Sequence, residues 1–340
     1  MSAPPPLRVA IVGCGLIGTK RAEALGPDEL VATYDVDPGA ATRLASSRGG
    51  RACASLDELV SLRPEVVVVA AVHAELATLA ARALDAGAHV LVEKPAGTGV
   101  ADVETIATHA ARAGRLVKVG FNHRFHPGIE RAVELACSGQ FGEILSLRAR
   151  YGHGGRPGYD QEWRADPRLS GGGEIVDQGM HLLDLAHALL GPLPLHSSLL
   201  RTQFWQAPVD DNAVIVLGQE AGAGDASPFA VLAVSWTEWK NTFALEIACR
   251  TAKITVEGLV RSYGPQVLSI YRMRPELGPP DLEQTRYPDR DLSFEREWAH
   301  FTGAIRAGDG RRLRGDLASA RYAWSIVEAA QGRAGAPDPG

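Results

Sequence analysis

Leu7-Arg8-Val9-Ala10-Ile11-Val12-Gly13-Cys14-Gly15-Leu16-Ile17-Gly18 is an apolar run that ends in three spaced glycines and passes into the helical pattern Thr19 to Leu25. Strand, glycine turn and helix follow in the order that a dinucleotide-binding crossover requires. Gly13 permits the tight turn, Gly15 lets backbone N–H groups approach a pyrophosphate, and Gly18 lets the helix lie close to the strand. Leu16 and Ile17, at the same turn, join the candidate cofactor contacts. A second strand, Leu30 to Tyr34, ends in Asp35, 22 positions after Gly13 (35 − 13). That acid is placed to accept from the adenosine ribose hydroxyls. The competing reading makes Asp35 and Asp37-Pro38 a helix cap and nothing more. Because Asp35 repels a 2′-phosphate and neither Val36 nor Asp37 offers it positive charge, NAD is favoured over NADP as the cofactor.

Outward from this turn the unit repeats. A helix near Gly39 to Ser47, a short strand around Ala52 and a helix Leu56 to Leu62 lead to the unbroken apolar run Val66 to Ala71. Runs without alternation mark strands covered on both faces, so the sheet is parallel. The helix Ala74 to Ala86 is stopped by Gly87, and Ala88 to Val92 delivers Glu93-Lys94-Pro95. A helix Val100 to Ala113, a stop at Gly114 and a strand Leu116 to Gly120 close a doubly wound domain over residues 1–121. A lysine at the carboxyl end of such a strand points to the crevice where open α/β sheets bind ligands. Taken alone, Lys94 also reads as a solvated residue at a strand end.

Beyond Phe121 the texture changes. A helix from Gly128 to Ser138 precedes segments that alternate like antiparallel strands: Leu145 to Tyr151, Leu199 to Trp205, Ala213 to Leu217, Ala230 to Trp236, Thr242 to Cys249 and Lys253 to Val256. Gln219 to Pro228 reads as a hairpin loop and Arg272 to Asp291 as a Pro-rich excursion, with helices at Phe294 to Arg306 and Leu317 to Gln331. The fold class is therefore α/β: a Rossmann doubly wound parallel sheet, then an α+β domain with a large, mostly antiparallel open sheet. The second domain is expected to span 122–333 and to bind substrate and self-associate, leaving 334–340 as a flexible tail.

A second constellation runs from Gly171 to Asp184. Three glycines enter a helix on which Asp177, His181 and Asp184 fall at i, i+4 and i+7, on one face. Apolar residues fill much of the rest, so the polar stripe faces a partner, a cavity or an internal Asp–His pair. A metal set of His181, Asp184 and His187 is disfavoured, because His187 projects away from the other two. No metal is expected. The preceding segment, Tyr151 to Arg168, carries His153, Arg156, Tyr159, Trp163 and Arg164; aromatic faces with fixed donors suit a polyhydroxylated ring. An ordinary interface loop is the alternative.

Composition narrows the partners. The 340 residues, 45% of them hydrophobic, suffice for two cores. A net charge of -5 shows no basic face for nucleic acid or a membrane surface. Cys14, Cys53, Cys137 and Cys249 are scattered, as in a reducing, cytoplasmic setting. No apolar run approaches the roughly 20 residues of a membrane span. A small molecule is the expected partner. Because neither face of strand Val231 to Trp236 is fully polar, the open sheet is expected to mediate a homo-oligomer, dimer or tetramer.

Taken together, Gly13 to Gly18, Glu93-Lys94-Pro95, Gly120-Phe121-Asn122 with Arg124, and Gly171 to His181 make the chain resemble the glucose-fructose oxidoreductase, inositol dehydrogenase and rhizopine-catabolism (Gfo/Idh/MocA) family of NAD(P)-dependent oxidoreductases. The likeness covers nearly the whole chain. It implies Lys94, Asp177 and His181 as the catalytic group and a cis Lys94–Pro95 peptide. It also implies cofactor contacts from Glu93, Lys94 and Pro95, beside Gly13, Gly15, Leu16, Ile17, Gly18 and Asp35. Arg124, Tyr151, His153, Tyr159, Trp163 and Arg164 are the substrate candidates, for a sugar, nucleotide sugar or cyclitol. One departure is Val72-His73, where many relatives carry Thr-Pro. The chemistry agrees: a neutral imidazole at His181 can take a hydroxyl proton while hydride leaves the same carbon, with Asp177 orienting it or hydrogen-bonding the substrate and Lys94 donating to the reacting oxygen. The alternatives are an NAD-retaining glycosidase and a non-catalytic dinucleotide-binding regulator.

Overall fold

Eleven elements alternate along the first part of the chain: β1 (Arg8–Val12), α1 (Leu16–Glu23), β2 (Glu29–Tyr34), α2 (Pro38–Arg48), β3 (Arg51–Ala52), α3 (Leu56–Ser61), β4 (Val66–Val69), α4 (His73–Asp85), β5 (His89–Val92), α5 (Val100–Ala113) and β6 (Val117–Val119). The structure, a computed structural model, describes residues 4–332 apart from 221, 223–225 and 277. All four valines of β4 are fully buried, as an apolar run between helical layers must be. The six strands are parallel in the order β3-β2-β1-β4-β5-β6. The order reverses between β1 and β4, so the glycine turn after β1 lies at the topological switch point.

The second part begins with α6 (Pro127–Cys137), β7 (Ile144–Gly152), α7 (Pro167–Ser170), α8 (Glu174–Asp177) and α9 (Gly179–Leu190). It continues through β8 (Leu195–Arg201), β9 (Asn212–Leu217), β10 (Phe229–Ser235), β11 (Thr242–Cys249), β12 (Ala252–Glu257), β13 (Val267–Arg272) and β14 (Asp281–Arg286). These strands form one sheet, β14-β13-β12-β11-β7-β10-β9-β8, antiparallel except for the β7–β10 pair. Helix α6 packs on β12 and β13, and α9 on β7 and β10. Along β10, Ala230, Leu232 and Val234 are buried while Val231, Ala233 and Ser235 remain half-exposed.

Two strand expectations need correction. The strand expected over Leu199 to Trp205 runs instead from Leu195 to Arg201, because the N–H groups of Gln203, Phe204 and Trp205 turn to the Asp211 carboxylate at 2.7–3.0 Å. The Pro-rich excursion contains β14, an edge strand exposed at every residue, whose Asp281, Glu283 and Arg286 suit an edge that must not recruit another chain. Residues 334–340 lie outside the described residues, as does part of the expected hairpin loop at 219–228.

Helices α10 (Ser293–Ala307) and α11 (Leu317–Ala330) complete the chain. The chain divides into two compact units, one of residues 1–121 with 294–321 and the other of 122–293 with 322–340. A single second domain over 122–333 is therefore corrected: most of α10 belongs to the first unit. Trp298 and Phe301 join Leu7, Val9 and Leu25 in its apolar cluster, and Trp298 Nε1 donates to Asp28 at 2.9 Å. Among the described residues no helix is long and apolar enough to cross a membrane.

Candidate active site

In the first unit the glycines do two different jobs. A Cβ on Gly13, at φ +89°, would lie 2.4 Å from the Ala70 carbonyl oxygen, and one on Gly18 would lie 2.0 Å from that of Gly13. Both positions exclude a side chain by close packing. Gly15 meets nothing within 4 Å, which leaves open space over the turn, and exposed Leu16 and half-buried Ile17 flank it. Asp35 at the end of β2 is held by the N–H groups of Cys14 at 2.6 Å and Asp37 at 2.8 Å. An open glycine turn with an acid fixed beside it fits a dinucleotide.

The Glu93-Lys94-Pro95 turn is anchored from beneath. Glu93 accepts from Arg21 Nε at 2.6 Å, Arg21 Nη1 donates to Glu297 at 2.6 Å, and Glu297 accepts from Lys118 at 2.7 Å. Arg21, Lys118 and Glu297 are fully or almost fully buried, and their charges balance with Glu93. Burial by itself would raise the Glu297 carboxyl; Lys118 and Arg21 outweigh it and hold the group below its ordinary value. Thus Glu93, expected at the cofactor, also fastens the turn. The Lys94–Pro95 peptide is cis, and Lys94 is half-buried at the end of β5.

In the second unit the candidate substrate residues gather at one end of the large sheet. Gly152, Ser235 and Arg201 close β7, β10 and β8 there, and register places Asn212, Thr242 and Glu257 beside them. The loops after these ends carry His153, Tyr159, Trp163, Arg164 and, unforeseen from sequence, Trp205 and Tyr263. Asp177 ends α8, whose start is set by Asp210: its carboxylate accepts from Gly173 at 3.2 Å and Ile175 at 2.8 Å. A Cβ on Gly173 would sit 2.0 Å from the Asp210 carbonyl oxygen, so the glycine run permits this approach. Burial pushes the Asp210 carboxyl up to about 6, against the pull of those N–H groups.

The Asp177 carboxylate accepts from the Tyr159 hydroxyl at 3.4 Å and lies 3.5 Å from Arg164 Nε. His181 is 6% exposed and its ring stacks on that of His123 at 3.8 Å. Tyr151 lies 5.0 Å from the His123 ring, 6.2 Å from His181 and 5.5 Å from Tyr263. Tyr263 accepts from Gln178 Nε2 at 3.3 Å. Burial drives the Tyr151 hydroxyl far above its usual range and that of Tyr263 up to about 12, so both phenols stay neutral. His153 Nδ1 accepts from the Gly155 N–H at 2.9 Å, and burial lowers its affinity for a proton. Arg164 lies over the Trp163 ring at 4.6 Å.

Two expectations change here. The single helix bearing Asp177, His181 and Asp184 is broken at Gln178 into α8 and α9. Asp184 also leaves the proposed stripe: Arg124 grips it through Nε at 2.6 Å and Nη2 at 2.7 Å, so Arg124 serves an internal ion pair. His187 stacks on Tyr322 at 4.5 Å. Among the described residues no three His, Cys, Asp or Glu side chains gather as metal ligands. Gln178 was within reach of sequence reasoning, sitting inside the glycine-led motif. Tyr263 was not, since its loop follows no periodicity, and Trp205 stood only as the end of an expected strand that stops at Arg201.

A model of an oxidoreductase family with an NAD-binding Rossmann fold, Gfo/Idh/MocA, matches residues 7–121, and a model of the Gfo/Idh/MocA C-terminal domain matches residues 129–255. The chain belongs to the Gfo/Idh/MocA family. Its first unit is thereby an NAD-binding domain. Curated members similar to it include a D-glucoside 3-dehydrogenase of Escherichia coli, 31% identical over 55% of this chain and 54% of the relative. An inositol 2-dehydrogenase of Saccharopolyspora erythraea is 29% identical over 64% of each chain. The match thus spans about half to two-thirds of the relatives' length. Among solved structures, levoglucosan dehydrogenase with NADH and L-sorbose superposes with TM-score 0.84 at 18% identity, covering 97% of both chains. A protein of gentamicin A biosynthesis in complex with NAD gives 0.79 at 25% identity, covering 98% of this chain and 95% of that one.

Proposed function

We propose that this Gfo/Idh/MocA member is an NAD-dependent oxidoreductase that moves hydride to or from a secondary alcohol carbon of a sugar, nucleotide sugar or cyclitol. The observation that carries the reading is that Asp177, held by Tyr159 and Arg164, and His181, stacked on His123, lie among neutral phenols and indoles in one unit of a chain whose other unit binds NAD. Bound NAD supplies the hydride acceptor. His181 takes the hydroxyl proton, Asp177 with Tyr159 and Arg164 orients the substrate, and Lys94 donates to the oxygen where charge changes. The first unit holds the dinucleotide and the second the substrate. The reading is tested by offering a panel of sugars and cyclitols with NAD and following absorbance of reduced nicotinamide; no turnover across the panel in either direction rejects it.

Cofactor choice follows from β2. Asp35 is fixed by two N–H groups, Val36 is exposed, and Arg43, the next cation along the chain, leans on Asp37 at 3.4 Å. A 2′-phosphate would meet an acid with no arginine to offset it. NADPH is expected to bind on the order of tenfold more weakly than NADH, or worse. Equal affinities in a fluorescence titration would refute this.

The protein works as a homo-oligomer in the cytoplasm through the outer face of the large sheet. Leu199, Val214 and Phe229 are exposed there, an apolar area that a second copy would cover. Light scattering at micromolar concentration is expected to give a dimer or tetramer, and a monomer there rejects the interface.

A further inference from the structure

Four rings lead outward from Asp177. Tyr159, whose hydroxyl reaches Asp177, is buried; its ring lies 5.7 Å from Trp205, Trp205 lies 5.1 Å from Phe204, and Phe204 lies 4.9 Å from Trp239. Exposure rises along this path to 56% at Phe204 and 67% at Trp239. Large aromatic surface left in water is costly unless something covers it. These rings are also held still. Trp205 Nε1 donates to the Trp236 carbonyl at 3.0 Å and its N–H to Asp211 at 3.0 Å. A Cβ on Gly154 would fall 2.8 Å from the Trp239 ring, and one on Gly155 2.7 Å from that of Trp205, so both indoles pack close against glycine backbone. The rim is polar: Gln203 and Gln206 flank the Phe204–Trp205 pair, and Glu238 and Lys240 flank Trp239.

Fixed rings with exposed faces, edged by amides and single charges of both signs, match the alternating C–H faces and hydroxyl rims of a sugar ring. A diphosphate would call for a cluster of cations, whereas Lys240 at this rim has Glu238 two positions away and Arg156 is paired with Glu162 at 2.6 Å. A second copy of the chain is accommodated by the open sheet face, which lies along the strands rather than at their ends. We propose that Phe204 and Trp239 form a second carbohydrate subsite, continuous with the Asp177 cluster. It takes a sugar ring glycosidically linked to the one that reacts. This rests on the sugar-dehydrogenase reading and narrows its substrate to a disaccharide or larger glycoside.

The test compares wild type, Trp239→Ala, Phe204→Ala and Trp239→Phe with glucose and galactose against their α- and β-linked disaccharides. Calorimetric binding in the presence of NADH and steady-state NAD reduction are both measured. At least one disaccharide is expected to bind wild type better than its monosaccharide. Trp239→Ala should lose about tenfold of that disaccharide's kcat/KM, mostly through KM, and leave monosaccharide kinetics and NADH affinity unchanged. Trp239→Phe should recover most of the loss. Equal losses for both substrate sizes, no loss, no disaccharide binding at all, preference for a nucleoside-diphosphate sugar, or a change of oligomer size in Trp239→Ala each overturn the subsite. Disaccharide binding that depends on Trp239 without any turnover would instead keep the subsite and reject the dehydrogenase reading.

Discussion

Lys94→Met is expected to lower kcat by about 10² to 10³ on the sugar that the wild type oxidises, while NADH affinity changes far less. Removing one donor from an oxygen that gains charge in the transition state typically has an effect of this size. A lysine that only solvates the end of β5 predicts the opposite, since exposed substitutions usually shift stability by less than about 0.5 kcal/mol and leave turnover alone. Met preserves the length and the apolar stem, so the turn fastened by Glu93 and Arg21 keeps its anchors. His181→Ala should be similarly damaging and should also delete one ionisation from the pH profile of kcat/KM, because that profile reports the base. Full activity in Lys94→Met would sink the catalytic assignment and favour the regulator reading.

Glu297→Leu is expected to destabilise the first unit by about 3–5 kcal/mol, the usual cost of removing one partner of a buried ion pair. Arg21 and Lys118 would both remain buried with only Glu93 to answer two positive charges. The sign of the pH dependence follows from the lowered Glu297 carboxyl. Its contribution is complete above the ordinary carboxylate range and is lost as pH falls through the native value, so the gap between wild type and variant should close on acidification and not at neutral or alkaline pH. Combining Lys118→Met with Glu297→Leu should cost less than the two single changes summed, because the pair removes its charges jointly. Calorimetric melting of the three variants gives the coupling; additive losses would show that the network carries no mutual stabilisation.

Local pattern alone determined the architecture of this protein. The valines of β4 had to be covered on both faces, the spacing of Gly13, Gly15 and Gly18 had to be a turn against a strand, and alternation after Ile144 had to be a half-covered sheet. Each depends on residues a few positions apart, where backbone geometry fixes the side-chain period. The motifs also nominate Lys94, Asp177 and His181 as the catalytic candidates, through the family resemblance they carry. What only the tertiary structure decided is partnership. An amphipathic pattern in α10 reports an apolar face but not which core receives it, and that core proved to be the one built by β1 and α1. Arg21 and Glu297 meet across 276 residues, and Arg124 finds Asp184 across 60, where no spacing rule reaches. The same holds for the aromatic path from Tyr159 to Trp239. Its rings come from three loops without periodicity, brought together because the strands that carry them end side by side.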